Sequence, residues 1–175
     1  SVAINMMASS ALTASKQKSM YELGEHYANE IDKIIAADTA VVNATAAAWG
    51  ESMPEGEALK ATLTHIADLP GVASAYIGRP DGSYETSKHF PAGYDPRTRQ
   101  WYKASAANPD KAMMSKPTTA ASDGKTVVTL SRAIVRNGAL IGVLSINIEL
   151  DAAREAVKDV KVGKTGALII LGPDT

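Results

Sequence analysis

The sequence predicts an α+β fold in which one long helix precedes an antiparallel sheet. Three observations carry that prediction. Residues 3–49 contain no proline and a single interior glycine, Gly24, so nothing stops a helix there. Two pairs of strand-like runs, "GVASAYIG" with "SYETSKHF" and "KTVVTLSRAIV" with "ALIGVLSINIEL", are each joined by a tight-turn motif. Neither pair leaves room for a helical crossover between its members, so the strands must run antiparallel.

In the first helix, apolar residues recur at Met20, Leu23, Tyr27, Ile31, Ile34 and Val41, with Asp38 interrupting the series. So thin a stripe must lie against a domain, a partner helix, or each in turn. Gly50 and "SMPEGE" end it. A second helix follows over roughly 55–69 and is halted by Pro70-Gly71. In "RPDG", Pro80 takes the second and Gly82 the fourth place of a type I turn. Asp95-Pro96 reads as an N-cap followed by proline at the first helical position, opening a helix to about Ala107. Asn137-Gly138 between two apolar runs is a hairpin signal. "DAAREAVKDV" reads as a short helix and "ALIIL" as a further strand. Along 140–150 the even positions are apolar, while the odd ones run Ile141, Val143, Ser145, Asn147, Glu149. The odd face either meets water, or Ser145 and Asn147 line the floor of a pocket roofed by residues 94–102.

At 175 residues the chain is long enough for one domain with its own core. Eighteen basic against 19 acidic residues, with a pI near 6.3, give no electrostatic footprint for nucleic acid. Cysteine is absent, and the three histidines, His26, His65 and His89, lack metal-ligand spacing, so neither a metal nor a cofactor is expected. No apolar run is long enough to span a membrane, and the given residues show no basic-then-apolar stretch with a small-residue cleavage site. Ser1 opens the chain, and "KTGALIILGPDT" breaks off after a strand-like run, so we read it as a piece of a longer protein. The nucleophile elbow, P-loop, dinucleotide and metalloprotease motifs are all missing. No catalytic residue is therefore expected.

Aromatic residues are scarce, yet Phe90, Tyr94, Trp101 and Tyr102 fall within thirteen positions, interleaved with Arg97 and Arg99. Arg99 is a planar cation able to grip a carboxylate through two N–H groups. Tyr94 and Tyr102 carry hydroxyls, and Trp101 an indole N–H and an apolar face. These are parts of an anion-binding cup, although core packing of Trp101 and Tyr102 explains the cluster as well. On a regular helix Arg99 and Trp101 point about 200° apart, so both reach one ligand only if the segment is irregular near its start.

The stretch "YDPRTRQWYKAS" closely resembles the signature of the Cache family, the extracytoplasmic sensor domains of bacterial chemoreceptors. "VASAYIGRPDGSY", "SKPTTAASDGKTVVTLSRAI" and "GALIGVLSINIEL" resemble that family's first hairpin, central strand and final strand. The resemblance implies a long helix on a PAS-like antiparallel sheet, with residues 1–50 forming the helix and 51–157 a membrane-distal ligand-binding module. Residues 158–175 resemble the start of a membrane-proximal second module. It also implies that residues matching Tyr94, Arg99 and Trp101 hold a ligand carboxylate in amino-acid-sensing members. A tyrosine matching Tyr102, a tyrosine in the central strand and an aspartate in the last strand hold the ammonium.

This sequence departs from that pattern at two places, where Thr118 and Asn147 stand instead. Without a counter-charge an ammonium is costly to bury. The expected ligand is therefore a small carboxylate in preference to a free amino acid, with a nucleobase as the neutral alternative. Lys116, Thr118, Ser145 and Asn147 complete the expected site. The expectation is the periplasmic domain of an inner-membrane chemotaxis receptor, homodimeric through its helix. Its alternatives are the sensor of a histidine kinase or cyclic-dinucleotide enzyme, or a helical dimerisation module without a ligand.

Overall fold

The computed structural model describes the backbone of residues 2–151 and the side chains of residues 14–151. The helix expected at 151–160, the strand "ALIIL" and the second module at 158–175 lie outside the described residues. Helix α1 covers Val2–Glu51, roughly 75 Å at 1.5 Å per residue, and α2 covers Gly56–Ala67. The sheet comprises β1 (Val72–Gly78), β2 (Tyr84–Thr86), β3 (Met113–Met114), β4 (Thr118–Thr119), β5 (Thr126–Arg136) and β6 (Ala139–Glu149). Its order is β2-β1-β6-β5-β3, with β4 also on β5, and every pairing is antiparallel. A third helix, α3 (Gln100–Ala107), lies between the two hairpins in sequence. Among the described residues no helix is long and apolar enough to cross a membrane.

Both turn motifs form as expected. The Gly82 N–H donates to Arg79 O at 3.0 Å, closing the Pro80-Asp81 turn. Asn137 and Gly138 take φ values of 51° and 78°, the two left-handed positions of a type I′ hairpin. The first hairpin is shorter than "SYETSKHF" implied. Pairing ends at Thr86, after which the chain leaves the sheet and buries Phe90.

One face of the sheet builds the main core. Ala75, Ile77, Leu130, Ile134, Leu144, Ile146 and Ile148 pack against Val42, Ala46 and Trp49 of α1 and Leu59, Leu63 and Ile66 of α2. Burying each large aliphatic side chain contributes about 1.5–3 kcal/mol. The helix stripe that meets the sheet runs through Ile31, Ile35, Val42, Ala46 and Trp49, so Ile35 and Val42 replace the expected Ile34 and Val41. Toward the N-terminus Met20 and Tyr21 lie exposed. The end of α1 is fastened by the β5–β6 apex. Arg136 donates from Nε to Gly50 O at 2.9 Å and from Nη2 to Trp49 O at 3.1 Å, satisfying carbonyls that the helix leaves open.

Asp38 does more than interrupt the apolar stripe, because it lies on the buried face at 4% exposure. Its Oδ2 has no hydrogen-bond partner among the described residues, and burial pushes its carboxyl up to about 6. The second face of the sheet is also covered. The segment beginning at Asp95 makes a 3₁₀ turn over Pro96–Thr98, passes through an extended Arg99 (φ −86°, ψ 144°), and only then enters α3. The continuous helix expected from Asp95 to Ala107 is thus broken at Arg99. Asp95 caps the turn as expected, its Oδ1 accepting from the Arg97 N–H at 2.9 Å. Pro96 and Trp101 sit directly on Gly78, where a Cβ would meet Pro96 Cβ at 2.6 Å and Trp101 Cη2 at 2.9 Å.

Two outcomes test this packing. Folding raises the Asp38 carboxyl above its unfolded value, so its stabilising effect is complete below about pH 4 and is lost as pH rises through about 6. Asp38→Asn should flatten that part of the stability–pH curve and gain about 1–2 kcal/mol at pH 7.5, read from urea unfolding. Gly78→Val should cost about 1–3 kcal/mol in the same assay, because neither Pro96 nor the sheet backbone can yield.

Candidate ligand-binding site

The strand register assembles a polar layer on the face opposite the main core. Ser74 of β1 and Thr129 of β5 both stand opposite Asn147 of β6, while Tyr76 and Ser131 both stand opposite Ser145. Side chains alternate along each strand, so these six residues share one face. All six are buried. Buried polar groups need partners, and here they find them in one another. Asn147 Oδ1 accepts from the Tyr76 hydroxyl and from Thr129 Oγ1, each at 2.9 Å, and Nδ2 donates to Ser74 Oγ at 3.2 Å. Ser145 Oγ donates to Leu130 O at 3.2 Å. The odd face of β6 therefore does not meet water.

Above this layer sits an aromatic cluster. Tyr76 meets Phe90 and Trp101 edge to face, both at 5.1 Å between ring centroids. Phe90 lies 4.3 Å from Tyr94. Edge-to-face pairs of this kind add about 0.5–1.5 kcal/mol each beyond area burial. Between cluster and sheet opens a cavity of about 480 Å³, bounded on its far side by residues 115–121.

The break at Arg99 shapes one wall of this cavity. Because α3 begins only at Gln100, Arg99 and Trp101 both reach the cavity wall. The Arg99 guanidinium carbon lies 4.5 Å from the Tyr94 ring centroid, a cation–π contact. Trp101 Nε1 donates to the Tyr94 hydroxyl at 3.3 Å, leaving that hydroxyl's own proton to give. Burial raises the Tyr94 phenol above its ordinary value, so it stays a donor at neutral pH. Burial raises Tyr76 as well. Arg99 is exposed, and among the described residues no carboxylate pairs with it.

Of the eight expected site residues, Tyr94, Arg99, Trp101, Lys116, Thr118 and Asn147 line the cavity. Tyr102 and Ser145 do not. Tyr102 is buried on the other side of α3, edge-on to Trp101 at 5.7 Å, because Trp101 and Tyr102 lie about 100° apart on that helix. Ser145 is sealed beneath the wall by its bond to Leu130. Tyr76, Phe90 and Thr129 line the cavity without having been expected there. Tyr76 carried a signal, as the one aromatic of an otherwise small or aliphatic first strand. Among the described wall residues there are two cations, Arg99 and Lys116, and no acid. Nor do the described residues contain a cluster of acidic, histidine or cysteine side chains able to hold a metal ion.

Comparisons with known proteins bear on the family and the fold. A family model for the first PDC sensor domain of methyl-accepting-chemotaxis-protein-like receptors matches residues 27–155. The methyl-accepting chemotaxis protein McpB of Bacillus subtilis is 34% identical over 117 residues, which is 65% of this chain and 17% of that protein. McpA of Pseudomonas putida is 37% identical over 95 residues, 52% of this chain and 14% of that protein. The chain thus spans about a sixth of the curated relatives it matches. Among solved structures, the ligand-binding domain of the Pseudomonas fluorescens chemoreceptor CtaA with L-alanine superposes with a TM-score of 0.66 at 22% identity, covering 81% of this chain and 63% of that one. That of the Pseudomonas aeruginosa chemoreceptor PctC with GABA gives 0.67 at 24%, covering 80% and 68%. These likenesses show the fold, a long helix laid on an antiparallel sheet. The chain belongs to the family of first PDC sensor domains of methyl-accepting chemotaxis receptors.

Proposed function

We propose that this chain is the membrane-distal sensing module of a chemotaxis receptor, and that its cavity binds a small carboxylate lacking a free ammonium group. One observation carries the reading. Arg99 stands over Tyr94 with no carboxylate partner among the described residues, at the edge of a cavity whose described wall holds two cations and no acid. A guanidinium, a phenol with a proton to give and a nearby lysine form a donor set for a planar anion.

The far wall supports the second half of the proposal. Asn147 Oδ1 already accepts two hydroxyl protons, so an incoming ammonium finds neither a charge nor a free lone pair on it. L-Alanine and GABA, found with the related domains, each carry a carboxylate and an ammonium. We assign the shared carboxylate to Arg99 and expect no ammonium site. In the whole receptor the module lies outside the cytoplasmic membrane, in the periplasm, with the exposed turns of α1 pairing in a homodimer.

Calorimetric titration of propionate and L-alanine tests the assignment, since the two differ by one ammonium group. Propionate should bind more tightly. Arg99→Ala should weaken it about ten- to a hundredfold, the loss of one charged hydrogen-bonding group, with unfolding changed by less than about 0.5 kcal/mol. Asn147→Asp should turn the preference toward L-alanine. Tighter binding of L-alanine by the unaltered protein would overturn the ligand class. Binding that survives Arg99→Ala, or that adenine alone provides, would overturn the site.

A further inference from the structure

A second cavity of about 180 Å³ adjoins the first and shares Gln100, Trp101, Ser115, Lys116 and Thr129 with it. Its remaining wall is Ala104 of α3, Met113 and Met114 of β3, and Ser131. The hydroxyl groups of this annex are already engaged. Ser131 Oγ accepts from Ser105 Oγ at 2.8 Å and donates to Trp101 O at 3.3 Å. Ser115 Oγ donates to Lys116 O at 2.7 Å and accepts from the Thr129 N–H at 3.0 Å. Thr129 Oγ1 donates to Asn147. What these hydroxyls leave to a newcomer is apolar surface, and Met114 stands 60% exposed at its rim.

We propose that the annex receives an apolar substituent of the same ligand, so that the molecule sensed is a carboxylate carrying a short alkyl chain or a phenyl-sized group. This rests on the carboxylate reading of the main cavity. The two cavities adjoin, and Trp101 belongs to both, so a ligand held at Arg99 can extend along the indole into the annex. A dry cavity of about 150 Å³ accommodates benzene, which sets the size of substituent that fits. Methionine side chains adapt to varied apolar shapes, so the annex selects by size and polarity. Gln100 and Lys116 are exposed and shared by both cavities, and as long flexible side chains they can part to admit the chain.

The test is a calorimetric series of acetate, butyrate, hexanoate and phenylacetate on the full chain. Each methylene entering the annex should tighten binding about fourfold, with the gain levelling off once the annex is full. Ala104→Leu, which fills the annex, should erase the gain and leave acetate binding unchanged. Met114→Glu alters an exposed strand position and should weaken hexanoate and phenylacetate selectively, which serves if Ala104→Leu misfolds. Acetate binding with no gain along the series, or a gain that survives both variants, overturns the annex and leaves the carboxylate site standing. If no member of the series binds, both readings fall together.

Discussion

Everything at the site depends on the central strands β5 and β6 being buried on both faces. The face with Leu144, Ile146 and Ile148 packs on α1 and α2, as an amphipathic strand should. The other carries polar side chains yet is sealed by the aromatic segment. Burying Asn147, Thr129, Ser145 and Ser131 costs free energy unless each finds a partner, and the aligned register supplies those partners. Asn147 is the centre of that arrangement, joined to Tyr76, Thr129 and Ser74 across three adjacent strands. A network so fully satisfied is rigid, and a rigid floor gives the cavity a fixed shape.

The concentration of a scarce residue type in one segment has a structural answer and a chemical one, and they coincide. Phe90, Tyr94 and Trp101 cover the polar face together with Tyr76, and the same rings present the indole and phenol that border the cavity. What sets Arg99 beside this packing is the backbone break at that residue. Pro96 starts a 3₁₀ turn, Asp95 caps it, and the chain must pass through an extended residue before α3 can begin. That one residue brings the guanidinium over the Tyr94 ring. Gly78 makes the arrangement possible from below, since any side chain there would occupy the space of Pro96 and Trp101.

Much of this was legible in the sequence because it is local. Helix limits, both turns and the alternation of β6 follow from glycine, proline and polarity patterns. The site was half legible. Arg99, Trp101, Tyr94 and Asn147 announce themselves by type and motif, whereas Tyr76 and Thr129 reach the cavity only through strand register. Counting back from the Asn137-Gly138 turn would set Thr129 against Ile146. A register shift between Ile134 and Val135 moves the pairing by one, to Asn147. Tyr102 misled for the opposite reason. It belongs to the motif, but helical geometry turns it away from Trp101's side. The stripe on α1 was misplaced by one residue because Asp38 was taken as a polar gap, whereas it lies within the buried face.

A sensor must convert occupancy into movement, and a ligand moves a two-state domain only by binding one state better. The cavity and α1 lie on opposite faces of one sheet, and Arg136 ties the β5–β6 apex to the end of that helix. The central claim is that the anion binds at the Arg99–Tyr94–Trp101 cup. The protein's two tryptophans make the most direct test, because Trp101 borders the cavity while Trp49 lies in the core beneath the other face. In a ¹H–¹⁵N spectrum of the labelled chain titrated with propionate, the Trp101 indole N–H should shift in a saturable way while that of Trp49 holds its position. A titration that leaves Trp101 unmoved, or shifts both indoles alike, would contradict the account.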